Sequence, residues 1–120
     1  MMGVMKMTIE PTDREMILES QLQEANAKLA ELTRHDHVYR AAVLFFGETH
    51  QIRKTLEELA ELSVALHHWL DGRADSMAVH CEIADVEIML RQMRELFDGA
   101  AVDVAKVQKL DRLVRRMGGV

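Results

Sequence analysis

Apolar positions fall on helical spacings through most of the chain, and the polar residues that interrupt them carry much of the information. Leu18, Leu22, Ala25, Leu29 and Leu32 step alternately by four and three residues, a short heptad seam. Thr12 suits an N-cap for that segment, with Glu15 at the reciprocal capping-box position. A seam this narrow predicts a partner helix, in the domain or on another subunit, and it is too short for a long coiled coil. "VYRAAVLFFG" then ends at Gly47 and reads as a short helix or as the start of the next one. From Glu48 or Thr49 a long helix is predicted to about Leu70, with Ile52, Leu56, Leu59, Ser63, Leu66 and Leu70 on one stripe. Gly72 suits its end, and Asp75 or Ser76 suits the start of a helix running to about Phe97. Asp103 is placed to cap a last helix that stops at Gly118 and Gly119.

These elements predict an all-α fold, an antiparallel helical bundle with an extra N-terminal helix. There is no strand alternation and no internal repeat. The expected organisation is a frayed N-terminus over 1–11, with Met7 as an alternative start, a helical extension over 12–46 and the main helical domain over 47–118.

Composition narrows the function classes. The 120 residues fit one domain, and 48% hydrophobic content lets it form a core. Cys81 is the single cysteine, which excludes an internal disulfide and a cysteine-built zinc site. A net charge of -5 argues against broad binding to a nucleic-acid backbone. No apolar run approaches the roughly 20 residues that span a bilayer, and "MMGVMKMTIE" lacks a signal core. The expectation is a cytoplasmic protein that binds neither nucleic acid nor membrane.

Two acid pairs stand out, Glu58 with Glu61 and Glu82 with Asp85, each spaced three apart on neighbouring predicted helices. At about 100° per residue, each pair falls within roughly 60° on its helix. Glu82 and Asp85 share their side with Ala78, Val86, Met89 and Met93, while Glu87, Arg91, Arg94 and Glu95 form the opposite, solvated side. Buried carboxylates are normally protonated, paired or bound to a cation. Antiparallel packing through a short loop can bring both pairs, with Glu57 beside them, to one point. Oxygen-only ligands favour Mg²⁺, with Mn²⁺ possible, over zinc. The competing reading is ordinary: i,i+3 acids are common on solvated helices, and an arginine or lysine of the last helix can neutralise Glu82 and Asp85.

"EELAE" followed after about twenty residues by "EIAD" resembles the EExxE…ExxD signature of the all-α nucleoside triphosphate pyrophosphohydrolases. That superfamily includes MazG, the dimeric all-α dUTPases, the dCTP pyrophosphatases and phosphoribosyl-ATP pyrophosphohydrolase. The frames "KTLEELAEL" and "EIADVEIML" look most like small MazG-like proteins, including those carried by phages, and the likeness runs from about Gly47 to Met117. The resemblance implies a MazG-like catalytic domain over 47–118 that hydrolyses a (d)NTP to (d)NMP and pyrophosphate. It implies Mg²⁺ ligands at Glu58, Glu61, Glu82 and Asp85, catalytic roles at Glu57 and Glu58, with Glu57 a further ligand or the group orienting water, and a homodimer or homotetramer.

Several residues are candidates for holding the substrate. Lys54, one turn before Glu58, is placed to contact phosphate or to make an ordinary i,i+4 pair. Gln51 lies a further turn back and suits a base or ribose contact if it is not simply solvated. His68 projects two turns beyond Glu61 on the same face, toward a base or toward solvent. Lys106, Lys109 and Arg112 follow one side of the last helix, where they can reach phosphates or serve the helix dipole. "HDH" at His35–His37 reads as a polar loop, Cys81 as a small core residue, and the absence of Glu-x-x-His argues against a ferritin-like di-iron bundle. The alternatives to a general (d)NTP enzyme are a phosphoribosyl-ATP pyrophosphohydrolase and a non-catalytic helical oligomerisation or adaptor protein using the Leu18–Leu32 seam.

Overall fold

A computed structural model describes residues 10–119, so the expectation for residues 1–9 lies outside the described residues. Five α-helices follow one another, α1 (Asp13–Thr33), α2 (Asp36–Phe46), α3 (Glu48–Leu70), α4 (Ser76–Leu96) and α5 (Gly99–Arg116), with no strand among the described residues. None of them is long and apolar enough to cross a membrane. The chain divides into two compact units, Met1–Asp36 and His37–Val120. α2 therefore falls with the second unit, whereas the organisation expected from sequence groups it with the first helix.

In the first unit, α1 starts where its cap predicts. Glu15 N–H donates to Thr12 Oγ1 at 3.2 Å and Thr12 N–H donates to Glu15 Oε2 at 2.9 Å, closing a capping box. No residue of α1 is buried.

In the second unit, Gly47 at φ +93° separates α2 from α3, a left-handed conformation that glycine adopts without strain. α3 ends in a Schellman arrangement: Arg73 N–H bonds His68 O at 2.8 Å and Gly72 N–H bonds Trp69 O at 3.0 Å, with Gly72 at φ +72°. Asp75 caps α4 by accepting from Ala78 N–H at 3.1 Å. The short connection turns α4 back along α3, and this pair makes the main contact of the unit, with a lesser one between α4 and α5. Asp98, not Asp103, caps α5, accepting from Ala100 N–H at 3.0 Å and Ala101 N–H at 3.2 Å. The physical reason is that the chain turns extended at Phe97, so the first acid after the break meets the free N–H groups. Asp103 sits inside the helix and pairs with Arg94. The turn is tight at Gly99, where a Cβ would come 3.3 Å from Arg94 O.

The core of this unit is thin and partly polar. Val43, Ala65, Val86 and Met89 are buried, and so are Gln51, Thr55, Glu58 and Gln92. The stripe Ile52, Leu56, Leu59, Leu66 and Leu70 is exposed, although its spacing predicts a packed face. α3 turns its other side to α4, because small and hydrogen-bonded residues there let the helices close. Gln51 Nε2 donates to Gln92 Oε1 at 2.6 Å, and Thr55 Oγ1 donates to Gln51 O at 2.7 Å.

Candidate metal centre

α3 and α4 bring Glu58, Glu61 and Glu82 together, with one carboxylate oxygen of each inside a sphere of mutual distances no greater than 4.8 Å. Each gets there by register. Glu58 continues the inward row of Gln51 and Thr55, Glu61 stands one turn on at the edge of that row, and Glu82 precedes Val86 and Met89 on the buried face of α4. Glu58 is 8% exposed, Glu82 half-buried and Glu61 exposed, so the cluster opens to solvent on the Glu61 side.

The hydrogen bonding is incomplete in a specific way. Oε2 of Glu58 and Oε2 of Glu82 are buried and accept no hydrogen bond. Oε1 of Glu58 is served by Lys54, whose Nζ lies 3.1 Å away and also 3.7 Å from Oε2 of Glu57. This pair lies within α3, at i,i+4. Glu58 draws the Lys54 ammonium pKa above its usual value, by hydrogen bond first and charge second. Glu61 is raised above the ordinary carboxylate range, mainly by a hydrogen bond shared with Glu58 and by the Glu58 charge, then by desolvation and by Glu82, with Lys54 opposing.

The donor set suits a hard divalent cation. Every donor is a carboxylate oxygen, and octahedral Mg²⁺ at 2.0–2.1 Å places opposite ligands about 4.2 Å apart. Cis ligands stand closer, about 3 Å apart, and the three oxygens, within 4.8 Å of one another, lie near the span of such a site. The two oxygens without donors also match, because a cation satisfies a buried carboxylate as a donor would.

Beside the cluster runs a groove of about 470 Å³ whose lining includes Glu61, Glu82, His68 and Cys81, with Ala60 and Val64 among its apolar walls. The structure thus puts His68 on one cavity with Glu61 and Glu82, and leaves Cys81 exposed rather than in the core. It does not bring all the candidates there. Asp85, one turn beyond Glu82, is exposed and outside the three-carboxylate cluster. Glu57 is exposed beside Glu58. Gln51 is 4% exposed, with Oε1 2.7 Å from His50 Nδ1 and Nε2 on Gln92, so its amide is spent inside the helix pair and is not offered to a ligand. Lys106 and Lys109 line a different groove, on α5 with Val102 and Leu110, and Arg112 is exposed on the same helix. Gln92 is a partner that the sequence reading did not single out; its signal was its place three residues after Met89 on the buried face.

Comparison with protein-family models, with curated proteins and with solved structures returns no match for this chain.

Proposed function

We propose that this chain is a Mg²⁺-dependent nucleoside triphosphate pyrophosphohydrolase, releasing pyrophosphate and a (d)NMP. The observation that carries it is the convergence of Glu58, Glu61 and Glu82 with two buried oxygens lacking donors. The EELAE…EIAD frame in which these acids stand supports the same reading. Glu58, Glu61 and Glu82 would hold the cation, and Asp85 is the further oxygen donor that the frame offers. Mg²⁺ or Mn²⁺ bound there supplies charge neutralisation for the triphosphate and an acidified water.

The chain's own residues do the rest. Glu57, exposed beside Glu58, would orient the attacking water. Water adds to the α-phosphorus, the bond to the bridging oxygen breaks, and pyrophosphate leaves; such transfers rest on positioning and charge. Lys54 sits between Glu57 and Glu58, where its ammonium meets phosphate oxygens. His68 lines the groove with Glu61 and Glu82, where its imidazole would meet the base. The working form is a homodimer or homotetramer, because the outer leucines of α3, with Leu44 at 74% and Phe45 at 83% exposure, need cover.

The test is pyrophosphate release from a panel of common and damaged (d)NTPs with Mg²⁺, with phosphoribosyl-ATP as a separate arm. Glu82→Gln is expected to abolish release. A well-folded, metal-loaded protein that releases none from any substrate sinks the assignment. The exposed seam of α1 favours a second reading, a non-catalytic oligomerisation or adaptor protein. That protein's melting temperature is indifferent to Mg²⁺, whereas the hydrolase is expected to rise by several degrees.

A further inference from the structure

We infer that the seam of α1 docks on α1 of a second copy of this chain, as a parallel two-stranded coiled coil. Leu18, Leu22, Leu29 and Leu32 are 53%, 60%, 59% and 69% exposed, although the helix is fully formed and capped. A single helix of 21 residues is marginal in water without cover for its apolar face. In heptad terms Leu22 and Leu29 occupy a positions, while Leu18, Ala25 and Leu32 occupy d. The flanking positions are polar, Glu19, Asn26 and Thr33 at e with Arg14, Gln21 and Lys28 at g. Apart from Met16 and Ile17 near its start, the large apolar residues of α1 keep to a and d, a stripe as wide as one partner helix.

The charges on the two flanks choose the partner and its direction. The g flank carries Arg14 and Lys28 and no acid; the e flank carries Glu19 and no base. Parallel pairing sets the g flank of one copy on the e flank of the other, so Arg14 faces Glu19 of the second copy, and two-fold symmetry makes that pair twice. Antiparallel pairing sets base flank on base flank and acid flank on acid flank. Lys28 is already held by Glu24 of its own helix at 3.2 Å, which leaves Arg14 and Glu19 as the deciding pair. Glu15, at the a position before Leu18, is tied to Thr12 N–H by the capping box, so its charge stays at the helix end. One helix thus carries both complementary halves of the contact, and a second copy of the chain is the partner that fits.

The test uses the full chain carrying Cys81→Ser, so that one thiol can be placed at will. Leu18→Cys puts the thiols of two parallel copies in one d layer, within disulfide reach. Mild oxidation is expected to give a covalent dimer. Adding Leu22→Glu with Leu29→Glu, which sets like charges opposite each other in the seam, is expected to cut its yield at least about tenfold. Arg14→Glu should slow cross-linking roughly two- to fivefold, and Arg14→Glu with Glu19→Arg should restore it. None of these positions is buried, so the second unit keeps its core, and circular dichroism reports the helix content. A Leu18→Cys chain that stays uncross-linked overturns the proposal. So does cross-linking that ignores the two added glutamates. So does cross-linking only in mixtures of Leu18→Cys with Leu29→Cys chains, the antiparallel result. None of these outcomes depends on whether the protein hydrolyses a nucleotide.

Discussion

On α3 the face turned to α4 carries Gln51, Thr55, Glu58 and Ala65, while the face turned away carries Ile52, Leu56, Leu59, Leu66 and Leu70. Polar groups dominate the inner face, where Ala65 and the half-buried Leu62 are its apolar part, and most leucines of the helix are outside, the reverse of the usual amphipathic pattern. Burying a polar group is costly unless it is hydrogen-bonded. At the Gln51 end of the inner face the cost is met: the amides of Gln51 and Gln92 bond each other, and Thr55 bonds backbone. At the Glu58 end it is not met, since Glu58 and Glu82 each keep a buried oxygen without a donor. The inner face is therefore structural at one end and built for something additional at the other. The outer face is left exposed, and the proposed self-association would cover it.

The largest effect is expected at the incomplete end. Glu82→Gln or Glu58→Gln should lower pyrophosphate release on the order of 10³-fold or more, because a metal ligand supplies several kcal/mol of charge stabilisation. The same changes should leave the melting temperature of the metal-free protein unchanged or raised, since each removes a buried charge without a full set of partners. A catalytic loss accompanied by an equal loss of metal-free stability would break the distinction between the two ends.

The outer face comes next. Leu56→Glu with Leu59→Glu should weaken self-association by about 2 kcal/mol or more, roughly thirtyfold in Kd, read by sedimentation equilibrium. Leu56 is 61% exposed, so a loss of fold without a change in association would show that this face packs within the chain after all.

A smaller effect is expected at the satisfied end. Gln92→Leu leaves the Gln51 amide buried without its partner and should cost about 1–3 kcal/mol. The double change Gln51→Leu with Gln92→Leu should recover most of that, because an apolar pair of similar size leaves nothing unsatisfied. Thermal melts of the two singles and the double give the coupling directly. Simple additivity would mean that the amide pair does not hold the helix register.

The residues explain which parts of this arrangement are legible in sequence. Caps and breaks are local chemistry, so the Thr12–Glu15 box, the stop at Gly72 and the Asp75 cap can be read directly. The meeting of Glu58, Glu61 and Glu82 is also legible, because two i,i+3-type spacings joined by a short connection leave few other places for them. The direction of α3 is not legible. Periodicity says that Leu56, Leu59 and Leu66 share a face but not whether that face meets this chain or another, and the buried row reads as solvated because Gln51 and Thr55 are polar. Asp85 illustrates the same limit on a finer scale: about 60° from Glu82 is enough to move it from the cluster to the exposed flank of α4. The choice of Asp98 over Asp103 as a cap turned on where the chain unwinds, at Phe97, which no spacing records.

The smallest effect concerns the proton that the incomplete end holds when no cation is bound. Glu61 is raised above the ordinary carboxylate range by Glu58, through a shared hydrogen bond and through charge. An acid whose folded-state pKa lies above its unfolded value binds more proton when folded, so its contribution favours the fold at low pH and is lost as pH rises through that interval. Metal-free protein should therefore melt somewhat lower as pH climbs out of the carboxylate range toward neutrality, and Glu61→Gln should flatten that slope. Divalent cation should reverse its sign, because ligation needs the ionised carboxylates and competes with the proton. A slope that Mg²⁺ leaves unchanged would mean that the proton and the cation are not sharing Glu61. The inner face would then hold its unpaired oxygens for a reason other than metal binding.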